Sequence, residues 1–258
     1  MSRRNEMLRE MGLTPVWRLR ERPSPSQCAN RPVEPAVDVV HVEPRTPIAQ
    51  TQPIAAPPDD RRAAILNMDW AALKECVSRC MDCRLHEQRN RTVFGVGDER
   101  AEWLFVGEGP GADEDRQGEP FVGQAGKLLD NMLAAIKLKR GENVYIANTV
   151  KCRPPGNRNP APDEAERCEP YLKRQIQLIR PRLIVALGKI AAVNLLGRDA
   201  SIASLRGKVH DYMGIPLIVT YHPAYLLRTL PDKAKAWADL CFAVETMQGL
   251  QKEARVST

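Results

Sequence analysis

No stretch of this 258-residue chain approaches the ~20 consecutive apolar residues that span a bilayer as a helix, and no membrane partner is expected. The N-terminus, MSRRNEMLREMGLTPVWRLRERPSP, is basic but has no apolar signal core. That argues against secretion and for a cytoplasmic location. Aromatic residues make up only 5% of the chain, and none of them falls between Pro23 and Pro58. This segment carries nine prolines with scattered Val, Ala, Thr and Gln, and it cannot bury enough apolar surface to order itself. It is expected to be a disordered linker, preceded by a short amphipathic helix within residues 1–20 built on Met7, Leu8 and Met11. The division expected is an N-terminal extension, 1–60, and a compact domain, 61–250. Neither sign of charge dominates strongly. The net charge of +6, from 38 Lys and Arg against 32 Asp and Glu, is compatible with a polyanionic partner without requiring one.

Seven cysteines without a signal peptide argue against a disulfide scaffold and toward metal or redox chemistry. Cys80 and Cys83 have the spacing that lets two thiolates at a helix end reach one centre, with Cys152 and Cys168 available as the other two ligands. Four thiolates suit either zinc or an iron–sulfur cluster. The fifteen residues between Cys152 and Cys168 are unlike the matched knuckles of a zinc ribbon and favour [4Fe-4S]. Cys28 in the linker and Cys241 on a helix face read as bystanders, and Cys76 as a neighbour.

Within the domain, Leu66, Trp70, Leu73 and Val77 recur at helical steps and predict one helix that delivers Cys80 and Cys83 at its end. A short strand is expected at Thr92–Phe94. The runs Trp103–Val106, Val144–Ala147, Leu183–Leu187 and Leu217–Thr220 read as strands separated by helices, the first of which spans Ala125–Lys137. Further helices are expected from about Pro162, from Gly188 to Leu196 and from Pro231 to Met247. The fold class is therefore α/β, a three-layer α/β/α arrangement around a four-stranded parallel sheet. In such sheets ligands sit beyond the carboxyl ends of the strands, which gathers Glu108, Asn148, Gly188 and His222 at one edge.

The stretch Gly107–Gly126, GEGPGADEDRQGEPFVGQAG, places six glycines and five acidic residues directly after the first strand. Its glycines let the backbone turn sharply and present bare N–H groups, with Glu108, Asp113, Glu114 and Asp115 supplying carboxylates. Phe121 is an aromatic in a segment too polar to bury one, and a presented ring suits a flat partner such as a base.

The combination of Cys80-x2-Cys83, GEGPGADED, PFVG from Pro120, Asn148 before KCRPP, Cys168 and HPAYLLR from His222 resembles the family 4 uracil-DNA glycosylases, over about residues 76–245. The resemblance implies an enzyme carrying a [4Fe-4S] cluster on Cys80, Cys83, Cys152 and Cys168, with uracil-containing DNA as its partner. Such an enzyme flips uracil out of DNA and hydrolyses its N-glycosidic bond, leaving an abasic site for base excision repair. It implies a stacking role for Phe121, an Asn148 amide that reads the O4 and N3–H edge, and a donor to O2 in His222. Glu108 is implied to position water or stabilise the sugar cation, with the neighbouring backbone at Gly109. Glu114 matches a further acidic position of the loop. Where relatives often carry another acid after GEGPG, this chain has Ala112, which weakens any argument from total loop charge. Leu226 and Arg228, within Ala224–Arg228, are expected to form a wedge into the DNA stack and a phosphate contact. Lys151, Arg153 and Arg158 are expected to add phosphate contacts beside the cluster. A monomer is expected, with a possible repair partner bound through the N-terminal arm. The rivals are a non-cutting iron–sulfur component of a repair or polymerase assembly, and an electron-transfer protein. A covalent uracil-capturing variant ranks low, because the loop after Cys152 has no histidine.

Overall fold

The computed structural model of the protein describes residues 59–256. The expected helix within residues 1–20, the linker with Cys28, and all of the expected extension but its last two residues lie outside that range.

The four apolar runs form the parallel centre of one sheet. They are β2 (Trp103–Gly107), β3 (Val144–Asn148), β4 (Leu183–Leu187) and β6 (Ile215–Thr220), in the spatial order β3-β2-β4-β6. Every residue of β2, β3 and β4 is buried, which is why they read as continuous apolar runs with no alternation. Alternate residues nevertheless face opposite layers. Leu104, Val106, Tyr145, Ile184 and Ala186 pack with Leu172, Ile176 and Ala192. Phe105, Ile146, Val185 and Ile218 pack with Leu129, Leu133 and Met247 on the other side.

The sheet has six strands among the described residues, two more than expected. Short antiparallel strands close both edges: β1 (Val96–Gly97) beside β3, and β5 (His210–Tyr212) beside β6. Neither is long enough to carry a periodic signal. A Cβ on Gly97 would stand 2.2 Å from the Val144 carbonyl oxygen, so β1 comes this close only because it lacks a side chain there. β5 and β6 are joined through Met213 and Gly214, both at positive φ (54° and 80°), a two-residue hairpin of the kind that matches strand twist. The strand expected at Thr92–Phe94 is not regular, although Val93 N–H donates to the Lys151 carbonyl (2.8 Å); the pairing strand starts at Val96.

The helix expected from Leu66 through Val77 is two helices, α1 (Asp59–Asn67) and α2 (Trp70–Arg79). Asp69 causes the break: its carboxylate accepts from Ala72 N–H (2.8 Å) and starts a new helix at Trp70. Ile65 is buried in place of Leu66, beside Leu73, Val77, Leu85 and Tyr171. The chain continues with α3 (Ala112–Gln117), α4 (Gln124–Ala135), α5 (Pro162–Ile179), α6 (Lys189–Leu196), α7 (Ile202–Leu205), α8 (Pro223–Leu226) and α9 (Lys233–Val256). α9 begins later than Pro231, because Leu230–Asp232 forms a 3-10 turn, and it runs past Met247. α1, α2 and α5 enclose one flank of the molecule. The strand ends define the other functional edge, where Gly107 lies beside Asn148 and Leu187 beside Thr220.

Candidate active site and cysteine cavity

A cleft of about 620 Å³ opens at the carboxyl ends of the parallel strands. Glu108, Gly109, Glu114, Phe121, Asn148, Gly188, His222 and Arg228 all line it, from loops far apart in sequence. The floor depends on glycine. A Cβ on Gly107 would lie 2.5 Å from both Asn148 Oδ1 and the tip of the Phe121 ring, and one on Gly188, at φ 95°, would lie 2.9 Å from His222 Cβ.

Asn148 is the last residue of β3 and is 2% exposed. Its Oδ1 is buried with no hydrogen-bond partner. A buried amide oxygen left this way is costly, by roughly 1–3 kcal/mol. His222 caps α8: its Nδ1 accepts from Ala224 N–H (3.1 Å), so the proton of the neutral ring sits on Nε2. Burial, and then the Arg228 cation, push its pKa down to about 4, with Glu114 pulling the other way. The ring is therefore a neutral N–H donor at physiological pH. Its centroid is 5.6 Å from that of Phe121.

The acids of the loop divide by environment. Burial pushes Glu108 up to about 6. The chain is stitched beneath it, since the Glu108 carbonyl accepts from the Thr149 hydroxyl (2.6 Å) and Val150 N–H (3.2 Å). Glu114 accepts from Gly111 N–H (3.0 Å), Val122 N–H (2.9 Å) and Gly123 N–H (3.1 Å), so its carboxylate is occupied in shaping the loop that carries Phe121. Asp115, one of the loop's carboxylates, is fully buried and accepts from Asn90 and from Arg91 N–H. Asp113 pairs with Arg116 on the surface.

Cys80, Cys83, Cys152 and Cys168 line a second, small cavity walled by Lys151, Arg89 and Tyr171. Cys80 caps the end of α2, Cys83 follows after two intervening residues, Cys152 lies beyond β3, and Cys168 sits in α5. Arg89 donates to Cys152 Sγ (3.1 Å), and Lys151 N–H donates to Cys168 Sγ (3.3 Å). Burial pushes Cys83 to about 11 and Cys168 to about 12, with the Lys151 ammonium pulling Cys168 back. Among the described residues no three His, Cys, Asp or Glu converge as ligands of a single metal ion. Cys76 lies outside this cavity, its Sγ 3.5 Å from the Tyr171 hydroxyl, and Cys241 is half-buried in α9.

Two expectations need correction. Leu226 is 1% exposed, packed beside Tyr221 and Ala236, and cannot enter a base stack; Leu227, 42% exposed, is the outward residue beside exposed Arg228. Lys151 is 1% exposed and makes no surface phosphate contact: its Nζ donates to the Asn148 carbonyl (2.9 Å) and Gln175 Oε1 (2.6 Å). Arg158 is exposed at the cleft and pairs with Glu164 through two bonds, 2.7 and 2.6 Å, which leaves its expected phosphate contact untouched. Sequence reading also missed Gln175, whose Nε2 donates to the Phe94 carbonyl (2.9 Å), and Arg140, which binds the Phe121 loop. Neither belongs to a motif, because the groups they bind lie 10 to 81 residues away in sequence.

A family model described as the uracil DNA glycosylase superfamily matches residues 94–241, more than half of the chain. The chain is similar to the type-4 uracil-DNA glycosylase of Archaeoglobus fulgidus, 50% identical over 159 residues, covering 58% of this chain and 79% of the relative. It is similar to that of Thermotoga maritima, 46% identical over 165 residues, 63% of this chain and 85% of the relative. The type-4 enzyme of Pyrobaculum aerophilum is 44% identical over 169 residues, 62% of this chain and 86% of the relative. On this family match and these identities, the chain, with its cleft at the strand ends and four cysteines around one cavity, belongs to the type-4 uracil-DNA glycosylases of the uracil-DNA glycosylase superfamily.

Proposed function

We propose that this protein excises uracil from DNA by hydrolysing the N-glycosidic bond, leaving an abasic site for base excision repair. The carrying observation is the orphaned Oδ1 of Asn148 beside the Phe121 ring at the end of β3. A uracil laid on that ring finds an amide whose oxygen accepts from N3–H and whose nitrogen donates to O4, a pattern that cytosine presents reversed. The Nε2–H of neutral His222 donates to O2 and takes up the charge that grows there as the bond breaks. Ionised Glu108 holds the attacking water or stabilises the cationic sugar. Glu114 is a positioning residue, its carboxylate holding the Phe121 loop. Leu227 fills the gap left by the flipped nucleotide, and Arg228 meets a phosphate. Arg153 adds a further basic contact.

The four cysteines suit a [4Fe-4S] cluster. They line one cavity, and the fifteen residues between Cys152 and Cys168 are unlike the matched knuckles of a zinc ribbon. Bound there, the cluster would tie α2, the loop after β3 and α5 together, a structural role with no redox part in the cleavage. Arg89 and the Lys151 N–H supply donors to its thiolates.

The test is alkali-induced strand scission of a labelled oligonucleotide holding one uracil, with cluster-intact protein verified by its visible absorbance. Wild type is expected to cleave, and Asn148→Ala to lose roughly a hundredfold or more, since it leaves two polar groups of the base unpaired in a dry pocket. DNA binding without any cleavage by cluster-loaded wild type would overturn the enzyme reading in favour of a non-cutting repair component.

A further inference from the structure

Phe121 has φ 56°, in the left-handed region. This is uncommon for a bulky aromatic residue and persists only where the surroundings over-determine it. The surroundings here come from three sides. Arg140, in the loop between α4 and β3, donates from Nη1 to the Pro120 carbonyl and from Nη2 to the Phe121 carbonyl, both at 2.8 Å. Its Nε donates to Asp130 Oδ1 (3.0 Å), which fixes the plane of the fork. From the opposite direction Glu114 Oε1 accepts the N–H groups of Val122 and Gly123. Helix α4 supplies the third constraint: a Cβ on Gly126 would fall 1.8 Å from the Phe121 carbonyl oxygen, so the strained peptide lies flush against the helix.

Arg140 is not among the residues lining the cleft and so acts only through the loop. We infer that Arg140 is a positioning residue for base capture, holding the Pro120–Phe121 backbone in the strained turn that presents the Phe121 ring to the flipped base. The inference rests on the functional reading above. The strain must be held before substrate arrives, because a ring that had to be reoriented on binding would subtract that cost from capture of the base. A guanidinium suits the task where an ammonium does not, since two successive carbonyls are engaged by one planar group.

The test is a double-mutant cycle of Arg140→Ala with Phe121→Ala, read by single-turnover excision of uracil from DNA. Arg140→Ala alone is expected to lower excision roughly ten- to a hundredfold, while affinity for DNA carrying an uncleavable abasic analogue changes by less than about threefold, phosphate contacts dominating there. In the Phe121→Ala background the same change is expected to cost little, because the group through which Arg140 acts is gone. Arg140→Lys is expected to behave like Arg140→Ala. Equal losses in both backgrounds, or rescue by lysine, would overturn the inference. Should Arg140→Ala fail to fold, Asp130→Asn replaces it in the same cycle with the same criterion. Failure of wild type to excise uracil would instead strike the functional reading, so the two failures are distinguishable.

Discussion

The pH dependence of excision separates the roles of Glu108 and His222. Burial raises Glu108 to about 6, so its carboxylate is about nine-tenths ionised at pH 7 and about one-tenth ionised at pH 5. If the ionised form acts, the single-turnover rate falls about tenfold between pH 7 and pH 5, along one acidic limb centred near pH 6. The sign follows from the chemistry: an anion helps a cationic sugar or orients water, and its protonated form does neither. His222 adds no limb of its own in this range. Its pKa is pushed down to about 4, so it stays neutral and keeps donating from Nε2 throughout. The other charged groups of the cleft are Glu114, Arg158, Lys189 and Arg228. Glu114 is already committed to three backbone N–H groups. The assay is quenched-flow or manual single-turnover cleavage from pH 4.5 to 8.5 at constant ionic strength, with visible absorbance monitored to verify an intact cluster at each pH. Glu108→Gln is expected to be slow and flat across that range. A wild-type rate independent of pH, a rate that rises on acidification, or an acidic limb that survives in Glu108→Gln would refute the assignment.

Two further substitutions test other parts of the structure. Leu226→Ala is expected to cost about 2–4 kcal/mol of stability in thermal or denaturant unfolding, as a buried leucine does. Leu227→Ala is expected to change stability by less than about 0.5 kcal/mol but to slow excision from duplex more than from single-stranded DNA, where no stack needs filling. Gln175→Leu leaves the Phe94 carbonyl and one direction of the Lys151 ammonium unpaired in the core. A destabilisation of about 2–4 kcal/mol is expected, measured by unfolding of the cluster-loaded protein.

The four parallel strands were legible because burial on both faces writes a continuous apolar run, and the rule that ligands gather beyond strand ends then brought Glu108, Asn148, Gly188 and His222 to one edge. The edge strands were not legible. A two-residue strand has no period, and β1 is defined by how closely Gly97 approaches β3. The break between α1 and α2 had a signal that went unused: Asp69 directly before Trp70 is an N-cap residue type, but the helical spacing from Leu66 to Val77 runs straight across it. Leu226 and Leu227 could not be told apart, since α8 has four residues and offers no repeat from which to infer its buried face.

Lys151 shows why part of the site escapes sequence reasoning. A lysine beside Cys152 and Arg153 reads as surface charge, because an isolated ammonium is costly to bury. What turns it inward is the Asn148 carbonyl three residues earlier and Gln175 on α5, so the cation that was expected to meet phosphate instead holds the peptide of Asn148 at the cleft. The same logic governs Arg140 at the Pro120 and Phe121 carbonyls, and Glu114 at the Val122 and Gly123 N–H groups. In each case a charged side chain binds backbone, and the residue it positions is one that faces the cleft. Motifs record the faces presented to substrate. The supports beneath those faces are fixed by distance through the fold, and they emerge only once the strand ends have been brought together.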